Sequence, residues 1–285
     1  MTVTPTEPGP RSSLAGPPAT PPARLARITA SRVSVELKAF FREKDQVIWT
    51  FSFPAILMLI FGTVFDQEIG GGVTFPQYFL AGMVASGLVL VSFQNLAISI
   101  AMERDDGTLK RLAGTPMPRS AYFLGKIGQV LVTAVAQLVL LLATAVVVFD
   151  VALPTDPDRW LTFTWVALLG ITAGTLCGIA YSSVPRSGKS ASAVVTPVVL
   201  VLQFISGVFF VYSQLPSWLQ QVAAVFPLKW MAQGMRSVFL PDSFATEEVG
   251  GSWQHGLTAA VLAAWVVVAL VLCLRTFRWQ RRDDR

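Results

Sequence analysis

Two short stretches carry residue types that could do chemistry. The first is Glu103-Arg104-Asp105-Asp106-Gly107-Thr108-Leu109-Lys110-Arg111-Leu112, continued by Thr115-Pro116 and closing at Lys126. Acids at its start and bases toward its end suit the two poles of a short helix. Leu109 and Leu112 give that helix a small apolar ridge, and Gly114, Pro116 and Pro118 end it. An element of this kind can bind a partner or pass on a push. The second stretch is Gly188-Lys189-Ser190, the closing residues of a phosphate-binding loop. The full pattern needs a glycine five residues earlier, where this chain has Ser183, and a β-strand before the loop, where it has an apolar run. Nucleotide binding by this chain is therefore not expected.

Other chemistry finds no support. The sequence has no HExxH, no GxSxG and no apposed carboxylates within its apolar runs. Cys177 and Cys273 both sit in apolar windows, as inert buried thiols do. His255 is the only histidine and cannot assemble a metal site alone. No catalytic residue, metal or bound cofactor is expected.

The elements that must position the charged stretch follow from composition. Of 285 residues, 53% are hydrophobic and 14% charged, against roughly 25% charged in soluble domains. The deficit is concentrated in six windows, at about 47–65, 77–101, 127–149, 161–184, 194–212 and 256–274. Each is long enough to cross a bilayer as a helix. The expected fold is an all-α polytopic membrane protein with six transmembrane helices. Residues 1–23 are proline-rich, lack an apolar run and read as a disordered cytoplasmic tail, not a cleaved signal peptide. From Arg24 to Lys44, Leu25, Ile28, Val33, Leu37, Phe40 and Phe41 recur at helical spacing with bases between them, the pattern of an interfacial amphipathic helix. Residues 24–275 then form one membrane domain, followed by a basic cytoplasmic tail, 276–285.

Nineteen of the 22 Lys and Arg residues fall on one side of this topology. That side is expected to be cytoplasmic, with both termini there. The net charge of +5 thus reflects topology and anionic membrane lipid; no nucleic-acid partner is implied.

Within the spans, Gly170, Gly174 and Gly178 share one helix face, where a neighbouring backbone can approach closely. The polar residues Gln94, Asn95, Gln129, Gln137 and Gln203 are costly in lipid. They fit either hydrogen bonds between helices or a weakly polar substrate path. Phe204, Phe209 and Phe210 could offer aromatic contact to a substrate or face lipid. No span carries a clear central carboxylate, which argues against ion-coupled transport.

The stretch from Glu103, with Thr115-Pro116 and Tyr122-Phe123-Leu124-Gly125-Lys126, resembles the signature of type-2 ABC transporter permeases. It is most similar to the bacterial drug-exporter branch typified by the daunorubicin-resistance permease. A second block agrees: Ser206-Gly207-Val208-Phe209-Phe210, Leu215-Pro216-Ser217-Trp218-Leu219-Gln220, Phe226-Pro227-Leu228 and Arg236. The likeness covers roughly residues 25–275. It implies a permease subunit in the bacterial cytoplasmic membrane, paired with a second copy or a related permease. Two copies of a separate cytoplasmic ATPase would bind ATP and Mg. The resemblance makes the segment with Glu103, Arg104, Gly107, Thr108, Arg111, Thr115 and Pro116 the region that couples to the ATPase. It makes 24–44 the connecting helix, and 213–243 helices that re-enter from outside. It places the substrate path between the second and fifth spans, near Gln94, Asn95, Gln203, Phe204 and Phe209. The expected function is export of a hydrophobic or amphipathic compound (drug, antibiotic or lipid-linked molecule). The alternative is a membrane scaffold or sensor that recruits a cytoplasmic partner and moves nothing.

Overall fold

The structure is a computed structural model that describes residues 22–65 and 67–277. The expected tail over 1–21, Asp66 in the first loop and the basic tail from 278 onward lie outside the described residues. Helix α1 (Pro22–Arg42) opens on a proline, which suits a first helical position because its missing N–H has no partner there. It starts slightly before the expected boundary at Arg24. A non-helical Glu43 separates it from α2 (Lys44–Val64). Thr50, Pro54, Met58 and Gly62 form the buried stripe of α2, while Ile48, Trp49, Ile60 and Val64 face outward.

A hairpin of two short strands follows, β1 (Glu68–Gly70) and β2 (Val73–Thr74), paired antiparallel. Its turn is the glycine run: Gly70, Gly71 and Gly72 have φ of +123°, +60° and +74°, backbone that other residues resist. The chain then enters its central rod. This comprises α3 (Phe75–Val89), a π-helical turn over Leu90–Asn95 and α4 (Leu96–Asp105). The most apolar stretch of the rod is 89% buried, against 22% for α2, so the other helices are arranged around it.

Helix α5 (Thr108–Ala113) is short. Helices α6 (Arg119–Phe149), α7 (Pro157–Tyr181), α8 (Gly188–Ile205) and α11 (His255–Thr276) complete the set long and apolar enough to cross a membrane, six among the described residues with α2 and the rod. Between α8 and α11 lie α9 (Ser217–Val225) and α10 (Pro227–Phe239). Every residue of α10 from Leu228 to Phe239 is buried, because it packs among α3, α7 and α11. The α9–α10 turn reaches midway along α11, where Trp265 Nε1 donates to Val225 O at 2.7 Å. These two helices therefore form a re-entrant hairpin.

The small-residue face of α7 is used as its spacing suggests. A Cβ on Gly170 would meet Met231 of α10 at 2.4 Å. One on Gly174 would lie 2.2 Å from Ser92 Oγ, and one on Gly178 2.9 Å from Phe93 O. Gly174 and Gly178 thus admit the wide π turn of the central rod.

One expectation is corrected. The fifth span stops at Ile205 and not at Tyr212: Gly207 takes φ +74° and turns the chain, and the buried Val208 packs its backbone against Gly82. The apolar side of α9 does not face the protein. Trp218, Val222 and Val225 point outward, whereas Gln220 turns in and donates to Leu215 O at 2.8 Å.

Candidate functional site

Helix α1, the start of α6, α5 and the ends of α4, α7 and α11 meet at one end of the molecule, the end richest in bases. The stretch that opened the sequence reading lies here, but it is not one helix. Helix α4 ends at Asp105, and Gly107 adopts φ +78°, so α5 starts afresh at Thr108. Asp106 Oδ1 accepts from Thr108 N at 2.8 Å, an Asx-type turn that satisfies the first N–H of the new helix. Lys110 and Arg111 occupy its last turn, as the helix dipole favours. The acids before them lie at the C-terminus of α4, where the dipole opposes them, so Glu103 needs another counter-charge.

Lys126 supplies it. This side chain is wholly buried. Its Nζ donates to Glu36 Oε2 at 2.8 Å, to Ser99 Oγ at 2.9 Å and to Glu103 Oε1 in a closer contact. Tyr122 OH donates to the other Glu103 oxygen at 2.9 Å. Arg32 pairs with Glu36 one turn away on α1. Four charges that sum to zero thus join α1, α4 and α6. The helices come this close because α6 carries glycine where α1 crosses: a Cβ on Gly125 or Gly128 would meet Arg32 Cγ or Val33 Cγ2 at 2.4 Å.

Arg104 makes a second tie. Its guanidinium donates to Ser182 O at 2.6 Å and to Ser182 Oγ at 3.0 Å, at the end of α7. Gly188 lies against the same turn, since its Cβ would come 3.0 Å from Met102 Cα. The Gly-Lys-Ser triplet therefore has a local explanation. Gly188 permits close packing, and Ser190 closes a reciprocal cap with Ser187 at the start of α8, each backbone N–H donating to the other's hydroxyl at 3.2 Å.

The seven residues expected to couple to an ATPase separate into two groups. Glu103 and Arg104 turn inward. Arg111, Thr115 and Pro116 are exposed at the tip, with Leu109 fully buried beneath them. Thr108 Oγ1 accepts from Arg111 Nη2 at 3.1 Å, and Gly107 makes the turn. Sequence reasoning missed Glu36 as Lys126's partner. The available signal was an acid four residues from Phe40 on the buried face of α1.

The five residues expected along a substrate path do not converge on one cavity. Gln94 Nε2 donates to Thr196 Oγ1 of α8 at 3.3 Å, and Asn95 Nδ2 to Thr50 Oγ1 of α2 at 2.9 Å. Gln203 Nε2 donates to Ser86 Oγ at 2.6 Å. The rod is thus tied to α8 at two levels and to α2 at one. The π turn lets adjacent amides reach different neighbours. Phe209 is buried against Phe61 and Phe79, while Phe204 is 44% exposed.

The far end holds a second charged knot. Arg236 of α10, wholly buried, pairs with Glu248 (Nη2–Oε2 3.1 Å), and Nη1 donates to Gly207 O at 3.4 Å. Its guanidinium lies 5.2 Å from the Tyr78 ring centre, and Tyr78 OH accepts from Tyr212 N at 3.0 Å. Lys229, also buried, donates to Gln233 Oε1 and sits over the Trp230 ring. His255 contacts Ser237 Oγ at 2.9 Å.

Comparison with known proteins agrees with this architecture. Residues 32–240 match the family described as ABC-2 type transporter. The chain is 25% identical over 193 residues to the inner membrane transport permease YadH of Escherichia coli K12, covering 66% of this chain and 74% of that one. It is 23% identical over 242 residues to the putative transport permease YvfS of Bacillus subtilis 168, covering 83% and 91%. It is 23% identical over 167 residues to the probable multidrug ABC transporter permease YbhR of Escherichia coli K12, covering 58% and 43%. The match extends over most of the chain and takes in both the charged junction and the re-entrant hairpin, so this protein is a multi-pass inner-membrane permease belonging to the ABC-2 type transporter family.

Proposed function

We propose that this permease is the membrane half of an exporter that moves a hydrophobic or amphipathic compound outward, driven by ATP hydrolysis on a separate cytoplasmic subunit. In this reading the base-rich end is cytoplasmic, two permease copies pair with two ATPase copies, and Arg111, Thr115 and Pro116 meet the ATPase. Glu103 and Arg104 then act behind the contact, as braces that hand motion to α1, α6 and α7. The observation that carries the reading is the junction: an exposed tip backed by a buried, charge-neutral network spanning three helices. An apolar interior with scattered amides suits an amphipathic cargo. The related permease YbhR, a probable multidrug ABC transporter permease, supports the drug-like class.

Co-expression with a candidate ATPase, purification and reconstitution into vesicles tests this. Arg111→Glu should abolish co-purification of the ATPase. Arg104→Ala should retain it and lose ATP-dependent movement of an amphipathic dye. Wild-type transport by both variants would overturn the assignment. Partner binding without any ATP-dependent movement of lipids or dyes would favour the scaffold reading.

A further inference from the structure

Behind the central rod, the side chains of the rod, α7, α8, α10 and α11 leave a cavity of about 370 Å³. Its walls include Phe93, Cys177, Val198, Leu202, Met231 and Leu272 and are almost entirely apolar. Helices α7 and α11 run side by side and level along it, since Cys273 Sγ donates to Leu176 O at 2.9 Å and Thr276 Oγ1 to Ala180 O at 3.5 Å. One end is closed by the re-entrant tip, where Phe226 stacks with Trp265. The other end, at Ser183, Val184 and Thr276, lies at the base-rich face. From Gly170 to Tyr181 the wall is about 16 Å long at helical rise, close to the roughly 15 Å hydrocarbon depth of one leaflet.

We propose that this slot holds one acyl chain of an anionic glycerophospholipid from the leaflet at the base-rich face. Length, apolar walls and a mouth at the base-rich face fit a lipid tail anchored at its headgroup. Charge selects the headgroup: Arg186 follows the mouth residue Val184 by two positions, Arg275 immediately precedes Thr276, and Lys189 opens α8 nearby, all three exposed. Bases near a membrane surface attract acidic headgroups by about 1 kcal/mol each. Helices α8 and α11 make little contact with one another, which gives the tail a lateral way in. Once seated, the tail packs against Val89 and Phe93 and braces the π turn from the side opposite α2. The site does not rest on the transport reading, and its test needs neither ATP nor the ATPase.

The purified permease is placed in nanodiscs carrying trace phosphatidylglycerol or phosphatidylcholine with a diazirine in the acyl tail, then illuminated and mapped by mass spectrometry. The phosphatidylglycerol probe should label α7 and α11 peptides around Cys177 and Leu272 in preference to the outward face of α6. Arg186→Gln should lower that headgroup preference about fivefold, and Val198→Trp should abolish slot labelling while leaving α6 labelling unchanged. Should Val198→Trp fail to fold, Cys177 in the wild-type chain gives the same answer: N-ethylmaleimide should modify it more slowly in phosphatidylglycerol than in phosphatidylcholine nanodiscs. Equal labelling by the two probes, labelling indifferent to Val198→Trp, or equal Cys177 reactivity in both lipids would overturn the proposal.

Discussion

Replacing Lys126 with Met keeps most of the stem and removes the charge at the centre of the junction. In the native chain the ammonium is wholly buried and faces Glu36 at 2.8 Å and Glu103 more closely. Without it Glu36 keeps Arg32, but among the described residues Glu103 keeps only Tyr122 and Ser99, and the cluster carries an unbalanced negative charge. Removing one partner of a buried ion pair costs about 3–5 kcal/mol. The Glu103 side chain is 18% exposed, so water reclaims part of that, and the lower end, about 3 kcal/mol, is expected. Glu103→Gln leaves the Lys126–Glu36 pair in place and should cost about 1.5–3 kcal/mol, the worth of a charged hydrogen bond. The double variant restores balance, because Arg32 and Glu36 remain as a neutral pair. It should be more stable than the two single losses together imply, by about 0.5–3 kcal/mol, the usual coupling between contacting residues.

Membrane proteins of this kind are best followed as a rate of irreversible thermal inactivation. Loss of monodispersity in nanodiscs at fixed temperature is a suitable readout. A 3 kcal/mol loss felt fully by the unfolding barrier accelerates it about a hundredfold. A Lys126→Met chain that inactivates at the wild-type rate would refute the reasoning. So would a double variant whose loss is simply additive, since the charges would then not be interacting.

Other parts of the structure make separate claims. Gly107→Val forces a branched side chain into φ +78°, at a cost of about 1–2 kcal/mol; membrane insertion should be unchanged while proteolysis between 106 and 114 accelerates. Gly174→Leu drives a side chain into Ser92 and the π turn, and overpacking of about 1–3 kcal/mol should shorten the thermal lifetime. Arg236→Met strands the buried Glu248 and should destabilise by about 3–5 kcal/mol; Arg236→Lys should recover only part, because it cannot form the same fork. Lys189→Ala should leave azido-ATP labelling of the assembled transporter unaltered, and any label on the start of α8 would contradict the capping role given to Gly188–Ser190.

The spans were legible because lipid enforces a simple rule: a helix must remain apolar for about twenty residues. That rule is blind to backbone conformation within an apolar run. Val208 to Val211 continues the hydrophobic pattern past Ile205, so hydropathy could not reveal that Gly207 turns the chain there. The π turn was hidden for the same reason. Its cause lies in another helix, where Gly174 and Gly178 leave room for it. Helix α10 was expected from the family resemblance, and hydropathy hides it in the opposite sense. Lys229, Gln233 and Arg236 make it look like a polar loop, yet all three are buried because Trp230, the Trp253 carbonyl and Glu248 wait for them. Composition records a polar residue's cost in an apolar setting but not the partner that offsets it.

The same limit explains why Glu103 and Arg104 could be picked out but not understood. Their spacing from Lys110 and Arg111 suggested the two poles of one short helix, whereas Gly107 divides the stretch into a tip and a brace. Mechanically the division matters. A loop joined to the spans only at its ends would absorb a push on α5 by bending at Gly107 and Gly114. Here the tip rests on the buried Leu109, and the turn behind it is fixed twice more. Glu103 is held through Lys126 to α6 and through Glu36 to α1, and Arg104 is held to Ser182 at the end of α7. Displacing α5 therefore either moves α1, α6 and α7 together or breaks a buried ion pair, and the second course costs about 3–5 kcal/mol. Concerted movement is the cheaper response, so under the proposed function the inward-facing residues, not the exposed ones, would convert contact into motion of the spans.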